Sequence, residues 1–121
     1  MAEPRKGLPK SCRVLASSGY TNVLRAGKKN NDALFSVYCT ANGLPQARLG
    51  ITVSRKVSPK AVLRNRIKRQ VRESFRDQRN TLPGVDLIVI ARSSAAGMAG
   101  QKLRESLHHH WEKIRQQCRS S

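Results

Sequence analysis

The sequence predicts a small α/β (α+β) fold in which helices pack on a mixed sheet. Two alternating segments predict an antiparallel strand pair, and a long amphipathic helix then leads into an apolar strand. Strand, helix and strand in that order require a crossover connection, so the helix is expected to lie on the sheet. A second amphipathic helix closes the chain.

The first elements are a short helix and two strands. Ser17 or Ser18 can cap a helix that runs to Ala26 and ends at Gly27, and residues 28–32 are predicted to be a polar loop. Residues 32–40 and 48–54 alternate between apolar and polar side chains, which is typical of half-buried strands. The turn at residues 41–46 predicts that the two strands form a hairpin.

One face of this hairpin is apolar, and the other carries Arg48, Tyr38 and several hydroxyl groups. A face of that kind is suited to a single strand of nucleic acid, because an aromatic ring can stack on a base. Tyr38 is equally well explained as an ordinary strand aromatic. Both interpretations remain open at this point.

The segment from Arg55 to Arg79 contains ten of the 24 Lys and Arg residues. Ser58 is predicted to cap a helix with Pro59 in its first position. The helix has one apolar stripe and a cationic face on its opposite side. The stripe consists of Leu63, Ile67, Val71 and Phe75. A face of one sign favours a polyanionic partner.

The later elements are more apolar. Residues Val85–Ala91 are apolar on both faces and predict an interior strand. Residues 93–100 are predicted to be a loop. The last helix is amphipathic, and Trp111 is predicted to anchor its apolar stripe in the core, with His110 beside it. The stripe consists of Leu103, Leu107, Trp111 and Ile114.

Length and charge point to one nucleic-acid-binding domain. The chain has 121 residues, which fit one domain at 1–121, and residues 1–12 are predicted to be a disordered tail. The formal net charge is +17. An acidic membrane surface is a competing partner, but the basic helix lacks the large apolar face that inserts into a bilayer. The sequence predicts a cytoplasmic protein without a membrane partner.

The residues that would support catalysis or metal binding are sparse. Three widely spaced cysteines, Cys12, Cys39 and Cys118, argue against a disulfide framework or a zinc site. Adjacent helical residues point about 100° apart, so the run from His108 to His110 cannot converge on one ion. Only seven acidic residues are present, without a nuclease-like cluster. The prediction is a binding protein with no catalytic residue and no metal site.

Several segments resemble the bacterial ribonuclease P protein component. Residues 61–73, which include Arg64-Asn65-Arg66, resemble the signature helix of that family. Residues 49–57 resemble the strand that leads into this helix, and residues 86–92 resemble a later strand that ends in Ala-Arg. Residues 23–27 resemble the end of the first helix. The resemblance covers about residues 13–116.

The resemblance implies a fold, a function and two surfaces. The fold is a ribosomal-protein-like sandwich of order αβββαβα with a left-handed crossover. The protein would join one catalytic RNA, which performs magnesium-dependent hydrolysis, and help to remove the 5′ leader of precursor tRNA. The surface for the catalytic RNA would comprise Arg55, Lys56, Arg64, Asn65, Arg66, Lys68, Arg69 and Arg72. The surface for the leader would comprise Tyr20, Leu24, Phe35, Tyr38 and Arg48.

Two other functions compete with this interpretation. A ribosomal or general RNA-binding protein would also be small, basic and without catalytic residues. A DNA-binding regulator would be expected to dimerise and to prefer duplexes, and no feature of the sequence indicates either property. Cleavage of precursor tRNA with and without the catalytic RNA distinguishes the first alternative.

Overall fold

The computed structural model describes residues 23–25 and 27–118, with only the backbone of Cys118. The predicted tail at 1–12, the caps Ser17 and Ser18, and Tyr20 lie outside these residues. Within the described part, no helix is long and apolar enough to cross a membrane.

The order of elements confirms the predicted fold class. Residues 23–25 are helical and are followed by four strands and two long helices. The strands are β1 (Lys28–Asn31), β2 (Phe35–Ala41), β3 (Arg48–Thr52) and β4 (Val85–Ala91), and the helices are α1 (Ala61–Gln78) and α2 (Gly100–Cys118). Short 3-10 turns at Arg79–Thr81 and Ser93–Gly97 flank β4. The loop predicted at residues 93–100 therefore contains one of these turns.

The sheet has the order β1-β2-β4-β3, which corrects two predictions. β2 and β3 do not form a hairpin, because β4 lies between them, antiparallel to β2 and parallel to β3. Residues 28–31 are not a loop, because β1 pairs antiparallel with β2. β1 is an edge strand, where a polar sequence is acceptable because only one side needs a partner strand. The sheet is mixed, as predicted.

Both long helices pack on the same face of the sheet. Ile67, Val71 and Phe75 of α1 are buried with the side chains of one face of the strands, and Leu63 is half-buried at the start of that stripe. Leu103, Leu107, Trp111 and Ile114 of α2 complete this core. The opposite face of the sheet holds a second apolar cluster, which is formed by Val23, Tyr38, Ile88 and Ile90. The helical residues 23–25 therefore lie against the face that α1 and α2 leave uncovered.

The helix α1 begins later than predicted. Its first residue is Ala61, and Lys60 precedes it without a side-chain cap. The hydroxyl of Ser58 accepts a hydrogen bond from the backbone N–H of Lys60 at 3.1 Å, so Ser58 and Pro59 form a turn before the helix. Arg64 Nη1 donates to the carbonyl of Ser58 at 3.0 Å and fixes this turn to the first helical residues.

Trp111 anchors α2 against α1, as predicted. Its side chain is fully buried, and its ring meets Phe75 edge-on with centroids 6.0 Å apart. Nε1 donates a hydrogen bond to Ser74 Oγ at 2.7 Å. A buried indole N–H thus has a partner, and the geometry is one that aromatic pairs favour.

His110 is buried where α2 meets the turn between β1 and β2. Its Nε2 lies 3.4 Å from Asp32 Oδ2, and neither ring nitrogen has a hydrogen-bond partner among the described residues. Ser106 also donates to Asp32 Oδ2, and Asp32 Oδ1 accepts from the N–H groups of Leu34 and Phe35. Burial lowers the pKa of His110, because this effect exceeds the opposing attraction of Asp32. The pKa of Asp32 is also lowered, since its hydrogen bonds outweigh the effect of burial.

The lowered pKa of His110 predicts a stability change in mildly acidic solution. An unfolded histidine gains its proton near pH 6.5, whereas His110 resists protonation in the folded state. The unfolded state therefore binds more protons, and the free energy of unfolding should fall as the pH decreases below about 6.5. Urea unfolding at pH 7.5 and 5.5 should show a smaller pH effect in His110→Gln than in the wild-type protein. His109→Gln replaces an exposed neighbour that contributes only the smallest part of the lowered pKa of His110, so it should retain most of the wild-type pH dependence.

Candidate nucleic-acid interface

The predicted RNA-binding residues lie mainly on the solvent side of α1. Three of them, Asn65, Arg69 and Arg72, are exposed, and Arg66 is half-buried. They line one shallow groove with two uncharged neighbours, and we call this surface the basic groove. It consists of Val62, Asn65, Arg66, Arg69, Gln70 and Arg72.

The position of the basic groove follows from helix geometry. Arg69 lies about half a turn of the helix away from Ile67 and Val71, which face the core, and Asn65 and Arg72 project to the same solvent side as Arg69. Arg66 donates through Nη2 to the carbonyl of Met98 at 3.1 Å, so the residues that precede α2 hold this guanidinium at one wall. Val62 is 77% exposed at the start of the same surface. Regularly spaced guanidinium groups on a rigid helix can contact successive phosphates.

The other predicted RNA-binding residues lie beside the basic groove rather than in it. Arg64 and Lys68 are half-buried on the flank of α1, and Arg64 already donates one hydrogen bond to Ser58. Arg55 and Lys56 are exposed in the turn between β3 and α1. The structure therefore divides the eight predicted residues between the helix and the preceding turn. Their contacts with RNA stay a prediction.

Arg92 was not among the predicted residues. It is exposed at the end of β4 and lines a second concave surface with Lys56, Ser54, Ser93 and Ser94. This surface exists because β3 and β4 are parallel, so the segments that follow them meet at the same edge of the sheet. The basic residues after the two strands were visible in the sequence, but their proximity depends on the direct pairing of β3 with β4, which the sequence prediction did not specify.

Three of the residues predicted to bind the leader lie on or beside the sheet face opposite the long helices. Tyr38 is half-buried beside Val23, and Lys29 Nζ lies 5.4 Å from the centre of its ring. Leu24, which belongs to the helical residues 23–25, is 44% exposed. Arg48 belongs to the same face as Tyr38. Tyr38 and Thr40 are two residues apart on β2 and so point to one face of the sheet, and the strand register aligns Thr40 with Asp86 and Asp86 with Arg48.

Phe35 does not belong to this surface, which corrects the prediction. Its side chain is fully buried in the core on the side of α1 and α2. Successive side chains of a strand point to opposite faces, so Phe35 and Tyr38 are separated by the sheet itself. Phe35 therefore stabilises the sheet and is not available to a single strand of RNA.

Arg48 does not extend freely into solvent but forms a bidentate ion pair with Asp86. Nε and Nη2 of Arg48 lie 2.8 Å from Oδ1 and Oδ2 of Asp86, respectively. Hydrogen bonding to Asp86 raises the pKa of Arg48. Asn42 Nδ2 also donates to Asp86 Oδ1, at 2.9 Å. The sequence prediction placed Arg48 correctly but missed this partner.

Acidic side chains gather on a different surface. Glu73 and Asp77 of α1 and Glu105 of α2 line a groove between the two helices, together with His108 and His109. Among the described residues, no three His, Cys, Asp or Glu side chains are arranged to hold a metal ion. The acidic residues of α1 therefore line a groove distinct from the basic groove, and Glu73 lies one helical turn after Arg69.

Comparison with known proteins identifies the family that has these features. A family model described as Ribonuclease P matches residues 8–115. Ribonuclease P protein components from Thioalkalivibrio sulfidiphilus and Marinobacter nauticus are 36% and 40% identical to this chain, respectively. Each match covers 93% of this chain, and the matches cover 94% and 86% of those relatives.

The chain belongs to the ribonuclease P protein family.

Solved structures of this family have the same fold. The RNase P protein of Staphylococcus aureus matches with a TM-score of 0.79 and 36% identity, over 87% of this chain and 95% of that protein. The RNase P protein of Thermotoga maritima gives 0.76 and 33%, over 84% and 96%. These matches confirm the family suggested by residues 61–73. As a ribonuclease P protein component, the chain is part of an endoribonuclease of tRNA processing that includes an RNA partner.

Proposed function

We propose that the chain binds the catalytic RNA of ribonuclease P through the basic groove and supports removal of the 5′ leader from precursor tRNA. The observation that carries this proposal is the position of Arg66, Arg69 and Arg72 on one exposed side of a helix whose other side is buried. The rigid helix keeps the cations at fixed spacing, which favours a backbone with regularly spaced phosphates. Lys56 and Arg92 extend the cationic surface along the sheet edge.

In this proposal the RNA performs the hydrolysis, and magnesium acts through the RNA. The engagement of three of the protein's carboxylates supports this division. Asp86 pairs with Arg48, Glu112 pairs with Arg115, and Asp32 accepts hydrogen bonds from Ser106 and two backbone groups. Carboxylates committed to such partners are poor ligands for a catalytic metal ion. One protein is proposed to join each RNA, in the cytoplasm, where precursor tRNA is made.

The leader is proposed to lie on the sheet face that carries Tyr38. This face borders the helical residues 23–25, where Leu24 is exposed. It offers the ring of Tyr38, which lies beside Lys29, and the guanidinium of Arg48. A single RNA strand is held by stacking of bases and by contacts to phosphates, and this face provides groups for both. The leader and the catalytic RNA would therefore use different surfaces of the protein.

A reconstitution experiment tests the proposed function. The protein alone should not cleave precursor tRNA, whereas the catalytic RNA with the protein should cleave it faster at low magnesium than the RNA alone. Magnesium-dependent cleavage by RNA-free protein would contradict the proposed role of the RNA. An RNA that cleaves equally well with and without the protein would favour a general RNA-binding protein.

Replacement of Tyr38 tests the leader surface. Tyr38→Ala should weaken binding of precursor tRNA to the assembled enzyme by about 1–3 kcal/mol if a base stacks on the ring. Mature tRNA lacks the leader, so its affinity should remain close to the wild-type value. Tyr38→Phe retains the ring and serves as the matched control. Equal losses for precursor and mature tRNA would show that Tyr38 only stabilises the sheet.

A further inference from the structure

We infer that Asp86 is a positioning residue, which holds the guanidinium of Arg48 in the orientation that contacts a phosphate of the precursor leader. The inference rests on the proposed function of the sheet face. It adds a residue whose carboxylate acts through Arg48 and does not itself meet RNA. Sequence alone suggested no such role for an acidic residue.

Arg48 and Asp86 form an ion pair of bidentate geometry. Asp86 receives two parallel hydrogen bonds, from Nε and Nη2 of Arg48, each 2.8 Å long. A guanidinium has five N–H groups in one plane, so the pair leaves three that can still donate. Two of these are on Nη1, and the bidentate contact fixes their direction relative to the sheet. Lysine could not reproduce this arrangement, because its ammonium is a single point charge.

The two partners of the ion pair differ in burial. The side chain of Asp86 is 8% exposed, whereas that of Arg48 is 35% exposed. An anion from solution, such as a phosphate, can therefore reach Arg48 but is kept from the carboxylate beneath it. The ion pair is therefore accessible to a phosphate through the guanidinium of Arg48.

Asp86 is also held by Asn42, in the turn between β2 and β3. Asn42 Nδ2 donates to Asp86 Oδ1 at 2.9 Å and to the carbonyl of Gln46 at 3.0 Å. Asn42 Oδ1 accepts from the N–H of Leu44, and Gly43 has a φ of 72°, which glycine adopts readily. The turn between β2 and β3 therefore helps to hold the carboxylate in place. An ion pair of Arg48 and Asp86 alone would lack the additional hydrogen bond from Asn42.

Arg48 can still bind a phosphate after it pairs with Asp86. A buried carboxylate neutralises the guanidinium at long range, so the pair attracts RNA less strongly than an isolated arginine would. At contact distance, however, the direction of the free N–H groups decides whether a phosphate is bound. The inference therefore predicts an effect on leader recognition and only a small effect on nonspecific RNA affinity.

The test compares affinities of the assembled enzyme for precursor and mature tRNA. Asp86→Asn should lower the ratio of precursor to mature affinity by about tenfold, as expected for one charge-assisted hydrogen bond. The double variant Arg48→Ala/Asp86→Asn should have the same ratio as Arg48→Ala, because Asp86 acts only through Arg48. Glu112→Gln breaks an exposed ion pair with Arg115 on α2 and is the matched control, with an unchanged ratio.

Arg48→Lys provides a second test that keeps the positive charge and a partner for Asp86. If orientation matters, its ratio should fall nearly as far as in Arg48→Ala. A wild-type ratio in Arg48→Lys would overturn the inference, and so would an unchanged ratio in Asp86→Asn accompanied only by a lower melting temperature. Equal wild-type affinities for precursor and mature tRNA would instead contradict the proposed leader surface itself.

Discussion

Replacing Arg66, Arg69 and Arg72 by Ala should weaken binding to the catalytic RNA by roughly a thousandfold at low salt. Each guanidinium is expected to contribute about one charge-assisted hydrogen bond to a phosphate, worth about 1.5 kcal/mol, and the three losses are taken as additive. Each phosphate contact also releases counterions, so the slope of log affinity against log salt should flatten by roughly two to three. The measurement is a binding titration of RNA at several salt concentrations.

The matched control replaces three cations outside the basic groove. Lys28 of β1 and Lys102 and Lys113 of α2 are exposed, and their replacement by Ala removes the same formal charge. If binding depends on the basic groove, this control should lose far less affinity and keep most of the salt slope. Equal effects of the two triple variants would mean that net charge alone attracts the RNA. An unchanged slope in the groove variant would show that α1 does not contact RNA phosphates.

The sequence predicted the part of this interface that depends on the helix α1 alone. The spacing of Ile67, Val71 and Phe75 fixes which side of α1 is buried, and this decides that Arg69 and Arg72 are exposed. No information from elsewhere in the chain was needed. The helix start was misplaced by a few residues because Ser58 binds the N–H of Lys60 in a turn, a choice that local sequence does not decide.

The parts that were missed depend on contacts between distant segments. β2 and β3 each have the alternation of a strand, but the pattern does not say that β4 lies between them. This one pairing explains why Asp86 lies beside Arg48 and why Arg92 shares a surface with Lys56. β1 was missed for another reason, because its polar sequence lacks any alternation and its strand form depends on pairing with β2.

Trp111 is the residue whose loss should destabilise the fold most, and with it the position of α1. Its buried ring meets Phe75 of α1, and Nε1 binds Ser74, so it joins both long helices behind the basic groove. Trp111→Ala should lower the free energy of unfolding by about 3–5 kcal/mol, because it removes a large apolar side chain and leaves a cavity. The melting temperature should fall by roughly 10–25 °C, measured by circular dichroism.

Trp111→Phe tests how much of this loss comes from the hydrogen bond to Ser74, and Leu44→Ala is a control at an exposed apolar side chain. Trp111→Phe retains an aromatic ring near Phe75 but loses the hydrogen bond to Ser74, so it should be destabilised much less than Trp111→Ala. Leu44→Ala shortens an apolar side chain that is 45% exposed in a turn, and it should change stability by only about 0.5 kcal/mol or less. Below its melting temperature, Trp111→Ala should retain the wild-type salt slope for RNA binding, because the cations of the basic groove are still present. A melting temperature for Trp111→Ala within a few degrees of the wild type would show that α2 does not support α1.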